Sequence, residues 1–282
     1  MLADNIYNTQ LIIDVGGSGL QVYEKNIGYN AKIILDLEIP SDSSLINQWL
    51  YRLVESLSPY YSQIILGIPG PVDQGKEDVF CPPLNVTIDL NPYRAKGIQV
   101  VNDTIAHLVA CWNKTMSRSK RGAILTVGTS LGLCTYFINH NTGELDMSKV
   151  KSHEIAHDNT IFYSKQIEPP IYPTVPTTLG AVFSMAGLLK LFNQPTIPIA
   201  NGLCRASKRI TESIIPDLAC SEIFSLWLEG LNLCVKKYLR ERSLQKCVKQ
   251  LYISGGIASI SKYDSSIEKV IKSSGFKLLE AD

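Results

Sequence analysis

The chain has 282 residues, of which 45% are hydrophobic and 19% charged, with a formal net charge of +1. A chain of this length buries a sizeable core and is expected to divide into two lobes. The near-neutral charge, without a long basic run, argues against nucleic acid or an anionic membrane as a partner; the opening MLADNIYNTQ lacks the regions of a secretory leader, and no apolar run reaches bilayer-spanning length.

The first element is a short apolar run, Leu11 to Val15, ending in Gly16-Gly17-Ser18-Gly19. Leu20 to Glu24 then alternates apolar with polar residues, which predicts strand, glycine turn, strand. A third strand is predicted over Ala31 to Ile39. After Pro40 and a polar run, Ile46, Leu50, Leu53 and Leu57 recur at helical spacing, predicting a helix over Leu45 to Leu57. Gln63 to Ile68 is a further buried strand, stopped by Pro69-Gly70-Pro71. Ile98 to Val101 is a strand leading into Asn102-Asp103 and a helix from Thr104 to about Lys114.

The opening pattern then returns. Ala123 to Val127 leads into Gly128-Thr129-Ser130-Leu131-Gly132, and Leu133 to Ile138 comes back as a strand. Set side by side, IIDVGGSGL and ILTVGTSLG show an internal duplication, and repeated units of this kind usually pack together with a cleft between them. Residues 160–200, rich in Pro and Thr and without a period, are expected to form an irregular surface excursion or cap. An amphipathic helix is predicted over Phe224 to Leu239, with Trp227, Leu228, Leu231, Val235 and Tyr238 on one face. Leu251-Tyr252-Ile253 runs into Ser254-Gly255-Gly256, a third strand-to-glycine turn. Seven cysteines (Cys81, Cys111, Cys134, Cys204, Cys220, Cys234, Cys247) are scattered without a CxxC pair. That pattern suits reduced thiols in a cytoplasm, mostly small core residues, and not a zinc knot.

Two phosphate-binding patterns are excluded: no GxxxxGK[ST] occurs, and Val22 stands where a GxGxxG begun at Gly17 needs its last glycine. One glycine turn alone is more simply a hairpin. Three that each end an apolar strand suit phosphate, because backbone N–H groups converge where no side chain keeps the anion away. Asp14, just before the first turn, is placed to hold Mg²⁺ through water; its plainer reading is a strand-end acid. Asn102 and Asp103 read first as helix caps. The carboxyl end of a strand is also where α/β proteins place catalytic groups, and phosphoryl transfer to an alcohol needs a carboxylate to accept the hydroxyl proton. Asp103 suits both roles. His153-Glu154-Ile155-Ala156-His157 matches HExxH, the helical zinc-peptidase motif. Its flanks lack a sustained apolar period, Thr160 and Tyr163 stand where the longer motif needs Gly and His, and Glu168 is an unpersuasive third ligand. A polar surface loop ranks ahead of a zinc peptidase.

Taken in order, IIDVGGSG, GIPGPVD, VVNDT, LTVGTSLG, HEIAH and YISGGIAS resemble the sugar kinases of the ROK family, in the actin-like ATPase superfamily, from residue 11 to about 260. The resemblance implies an α/β fold of two actin-like (ribonuclease H-like) lobes, with mixed sheets flanked by helices and a cleft between them. Residues 1–101 would be the small N-terminal lobe, with 265–282 a candidate addition to it, and 102–264 the large lobe. Asp14 to Gly19 would be the first phosphate loop, binding through Gly16, Gly17 and Ser18; Gly128 to Gly132 would be the second, binding through Gly128, Thr129 and Ser130; and Gly255 and Gly256 would lie at the adenosine or distal donor site. Asn102, Glu154 and His157 would bind the sugar, with Asp103 as base and Asp14 holding Mg²⁺.

Departures from the family pattern shape the remaining expectations. The family's cysteine-rich zinc motif is absent, so no structural zinc is expected. Polyphosphate glucokinases of the family also lack it and favour a GGSG loop, which sets polyphosphate beside ATP as donor. Ser130 and Ala156 replace usual glycines, Thr104 replaces a usual Ala, and CPPLNVT matches the sugar loop only loosely at Asn85. Family repressors carry a helix-turn-helix before the first loop; only ten residues precede the first strand here, which argues against a regulator. The expected function is phosphoryl transfer to a hexose hydroxyl in the cytoplasm, with a homodimer as the candidate assembly and no nucleic-acid or membrane partner. The alternatives are a non-catalytic sugar- or nucleotide-binding relative and, last, the zinc peptidase.

Overall fold

The computed structural model of the chain describes residues 9–17, 19–26, 31–73, 75–112, 120–157, 178–198, 204–205 and 208–279. The first half runs β1 (Thr9–Val15), β2 (Leu20–Asn26), β3 (Lys32–Leu37), α1 (Ser43–Leu57), β4 (Gln63–Ile68), β5 (Asp78–Cys81), β6 (Val86–Asp89), α2 (Asn91–Ala95), β7 (Gln99–Asn102) and α3 (Asp103–Cys111). The second half continues with β8 (Arg121–Val127), β9 (Leu131–Phe137), β10 (Lys151–His153), α4 (Leu179–Phe183), α5 (Met185–Leu191), β11 (Ile197–Pro198) and β12 (Cys204–Arg205). It ends with α6 (Lys208–Ser213), α7 (Ile215–Cys220), α8 (Glu222–Glu241), β13 (Leu251–Ser254), α9 (Gly256–Ile260), α10 (Ser265–Ser273) and β14 (Lys277–Leu278). Among the described residues, no helix is long and apolar enough to cross a membrane.

The duplication glimpsed in the sequence is a duplicated sheet. One sheet has the order β3-β2-β1-β4-β7 and the other β10-β9-β8-β13-β14. In each, three strands form an antiparallel meander and the remaining two join in parallel, β4 and β7 beyond β1, β13 and β14 beyond β8.

Strand alternation decides what faces what. On β1, Leu11, Ile13 and Val15 enter a core with Leu50 and Val54 of α1, while Ile12 points the other way beside Tyr23 and Ile65. On β8, Ala123, Leu125 and Val127 pack with Trp227 and Leu231 of α8, while Ile124 lies with Cys134 and Tyr136. The two inner faces share α3. Its Ala106, Val109 and Ala110 fill the side toward Ile12, and its Leu108 and Cys111 fill the side toward Ile124. The helix lies close on β4 because Gly67 has no side chain: a Cβ there would stand 2.4 Å from Ala106 Cβ.

Three expectations are corrected. Residues 178–192 are not an irregular excursion: α4 and α5 are capped by Thr178 and Ser184, whose side chains accept from Ala181 N and Gly187 N, both at 3.2 Å, and they bury Leu179, Phe183, Leu188 and Leu189. Most of the rest of that stretch lies outside the described residues. The helix after Asn102 ends at Cys111, because the buried Lys25 ammonium takes the carbonyls of Val109 and Trp112 (the latter at 2.8 Å) and Trp112 turns extended. Finally, the segment 265–279 belongs to the second sheet: β14 pairs with β13, and Ile267 and Ile271 join the core around α8.

Candidate active site

The two glycine turns face each other across the lobes and close alike. Gly16 N donates to Gly19 O at 2.8 Å, and Gly128 N donates to Ser130 O at 3.0 Å. A Cβ on Gly17 would stand 2.8 Å from Pro83 Cβ and 3.0 Å from Thr129 Cβ, so glycine is what lets the first turn meet the second. The second turn is shorter than expected, since Leu131 and Gly132 are already strand. Ser18 lies outside the described residues.

Helix α3 supplies the carboxylate between them. Asn102 is its N-cap: Oδ1 accepts from Thr104 N at 3.0 Å and from the Thr104 hydroxyl, while Nδ2 donates to Gly70 O at 2.9 Å. Much of Asn102's hydrogen-bonding capacity is thereby spent on holding the turn. Asp103, half-buried at the first helical position, accepts from Thr104 N at 2.9 Å. Desolvation and the nearby negative charge of Asp14 push its carboxyl up to about 7, against the pull of the Thr104 N–H.

Period-two alternation sends Asp14 to the Ile12 side of β1, toward α3. There its Oδ2 lies 3.0 Å from His107 Nδ1, and His107 Nε2 lies 2.7 Å from Ser254 Oγ. His107 is buried one helical turn beyond Asp103. Burial opposes its charged form, but Cys111 and the Asp14 carboxylate outweigh that and raise it well above the ordinary imidazole value.

Two adjoining cavities meet at these groups. One, of about 420 Å³, is lined by Asp14, Gly16, Gly17, Asn102, Asp103, Gly128, Thr129, Ser130, Glu154 and His157, which gathers most of the residues expected from the sequence. The other, of about 460 Å³, takes in Gly255 and Gly256 and shares Asp14, Gly16, His107, Gly128 and Thr129 with the first. Asn85 lines neither among the described residues; it ends a short turn in the left-handed region (φ 51°), and Pro82 and Pro83 stand in the first cavity instead.

The HExxH residues do not share a helix. His153 is on β10 with Nε2 3.0 Å from Thr135 Oγ1, and Ile155–His157 is a single 3₁₀ turn that points Glu154 and His157 outward into the first cavity. The facing histidines that a zincin requires are not formed. Among the described residues, no cluster of three or more His, Cys, Asp or Glu side chains is placed to hold a metal by itself. His107 and Ser254 were not singled out as site residues in the sequence; the signal for His107 was its place four residues after Asp103 on one helix face.

Solved structures of known proteins share this architecture. The chain is similar to the glucokinase of Balamuthia mandrillaris in complex with glucose, at 12% identity over 96% of this chain and 89% of that one, with a TM-score of 0.59. It is also similar to a ROK family glucokinase from Streptomyces griseus in complex with glucose and AMPPNP, at 14% identity over 97% and 94% of the two chains, with a TM-score of 0.58. A ROK family transcriptional regulator, a homolog of the E. coli MLC protein, matches at 15% identity over 97% of this chain and 74% of that one, with a TM-score of 0.56. No family model matches the chain, and no curated protein does. The chain has the two-lobed, mixed α/β fold of the ROK sugar kinases.

Proposed function

We propose that the chain is a sugar kinase that transfers the terminal phosphoryl group of ATP to a hydroxyl of a hexose-class sugar. The observation that carries this reading is Asp103: a half-buried carboxyl held near 7, in a cavity walled by two facing glycine turns. On this reading the sugar occupies the first cavity, where Glu154, His157 and the remaining amide N–H of Asn102 bind hydroxyls. Asp103 Oδ1 is held by the Thr104 N–H, which leaves Oδ2 to take the proton as the sugar oxygen bonds to the terminal phosphorus, the bond from that phosphorus to the bridging oxygen breaks and the nucleoside diphosphate leaves. The donor lies in the second cavity, its phosphates between Gly16-Gly17 and Gly128-Thr129-Ser130 and its nucleoside end by Gly255-Gly256. The lobes divide near residues 101–102, and their closure around both substrates would exclude water as a competing acceptor.

Asp14 fits a hard divalent cation. Its carboxylate lines both cavities, and His107 takes one oxygen, Oδ2. A single carboxylate together with donor phosphates and water is the usual setting for Mg²⁺. When bound there, Mg²⁺ would neutralise charge on the donor phosphates.

ATP is better supported than polyphosphate. Among its described lining residues the second cavity carries one lysine and no arginine, Lys262, against Asp14, Asp36 and Glu212, and it is furnished with Ile33, Met185, Ile260 and Tyr263. A polyanion needs several cations along its path, whereas a base and ribose suit apolar and aromatic walls. A second reading, sugar sensing without transfer, draws on the fold shared with a transcriptional regulator.

A sugar panel assayed in parallel with ATP and polyphosphate, on the wild type and Asp103→Asn, tests the proposal. Sugar-dependent ATP consumption that Asp103→Asn abolishes while sugar still binds is the expected result. Sugar and nucleotide binding without turnover, unchanged in Asp103→Asn, would establish the sensing role instead.

A further inference from the structure

Asp14, His107 and Ser254 form a chain of hydrogen bonds that crosses the molecule. Asp14 is on β1 of the first sheet, Ser254 on β13 of the second, and His107 on the helix between them. The separations are 3.0 Å from Asp14 Oδ2 to His107 Nδ1 and 2.7 Å from His107 Nε2 to Ser254 Oγ. Both ring nitrogens are therefore engaged, which fixes the plane of the imidazole and the position of the carboxylate oxygen it meets.

The need for such a fixture follows from where Asp14 stands. It is the last but one residue of its strand, its side chain is 14% exposed, and it borders both cavities. A carboxylate so placed has rotamers to choose from as soon as phosphates or a cation approach. An imidazole anchored on its far side leaves one of them. Ser254 suits the anchoring role because it is almost fully buried, at 1% exposure, and directly precedes Gly255, whose positive φ of 82° sets the third glycine turn.

We propose that His107, anchored by Ser254, is a positioning residue that holds the Asp14 carboxylate in the orientation required to receive the divalent cation of a metal–nucleotide donor. It touches neither reacting atom and acts through Asp14. The inference rests on the kinase reading for the identity of the donor, while the geometry of the chain of hydrogen bonds stands apart from it.

The test is binding of Mn²⁺ to the full-length protein with AMPPNP, followed by the paramagnetic resonance of the free ion. Loss of an outer partner of a metal ligand costs about 10- to 100-fold in affinity, so His107→Ala should weaken Mn²⁺ binding by that factor. His107→Gln, whose amide can bond toward either side, should recover most of it. Ser254→Ala, which frees only the far nitrogen, should weaken binding about 10-fold and add little on top of His107→Ala. Should His107→Ala fail to fold, His107→Gln and Ser254→Ala still decide the matter. Wild-type Mn²⁺ binding in Ser254→Ala, or a folded His107→Gln as impaired as His107→Ala, would overturn the proposal. An absence of sugar turnover in the wild type with these binding losses intact would sink the kinase reading alone; no Mn²⁺–AMPPNP binding by the wild type would sink both.

Discussion

A Cβ placed on Gly132 would stand 2.0 Å from the Thr104 methyl carbon, so the strand β9 and the helix α3 touch at the closest approach their backbones allow. Thr104 cannot swing aside freely, because its hydroxyl donates to Oδ1 of the Asn102 side chain that caps the helix. Gly132→Ala should therefore destabilise the protein by about 1–3 kcal/mol. Thr104→Ala combined with it should restore at least about 1 kcal/mol relative to the sum of the single changes. Urea denaturation of the four species measures this, and simple additivity would refute the contact.

The raised carboxyl of Asp103 has two consequences of opposite benefit. As a base it must be ionised, so kcat/KM should climb with pH and level off above about 7. For stability the sign reverses. A carboxyl that titrates near 3.8 in the unfolded chain and about 7 in the folded one favours folding at low pH and loses that favour as pH rises through 7. The melting-temperature advantage of Asp103→Asn over wild type should consequently grow from pH 5 to pH 7 and then hold steady. An advantage that shrinks across that range would contradict the assignment.

Lys25 is the buried counterpart at the other end of α3, donating to the carbonyl oxygens of Val109 and Trp112. Desolvation lowers its ammonium from 10.5 to about 8. With a depressed folded value, stability is highest above the unfolded value and falls as pH drops through 8. Wild type should gain stability between pH 8 and pH 10, and Lys25→Met should not. Stranding the two carbonyls should also cost the variant about 1–3 kcal/mol at neutral pH.

Gly17 marks where the lobes meet. A methyl there collides with Pro83 and Thr129, so Gly17→Ala should hold the two turns apart without disturbing either core. Misplacement of about 1 Å can cost on the order of 100-fold in rate, and a loss of kcat of that order is expected with little change in melting temperature. Steady-state kinetics beside a thermal melt would show it; an unchanged kcat would mean that the closed contact is not needed for turnover.

Much of this site could be read from the sequence because its parts are local. Apolar alternation into Gly16 and Gly128, and the cap signature at Asn102, each depend on neighbours within a few residues. Two things were not legible, for different reasons. His107 takes its meaning from Asp14 and Ser254, which lie 93 and 147 positions away, and no periodicity reports such partners. The helices α4 and α5 are five and seven residues long, and Ser184 between them breaks the period that a longer helix would show. The HExxH match shows the converse error, a spacing that is right for a helix carried by a strand and a 3₁₀ turn.

The sharing of α3 between two inner faces bears on how the molecule comes apart. Each sheet covers its outer face with its own helices, but Ile12 and Ile65 on one side and Ile124 and Tyr136 on the other rely on the same nine-residue helix for cover. If α3 leaves with either half, the other exposes an apolar sheet face to water. Neither half of the duplication is then a stable fragment, and heat should unfold the pair in one cooperative step, as if the ancestral repeat had been welded at its centre.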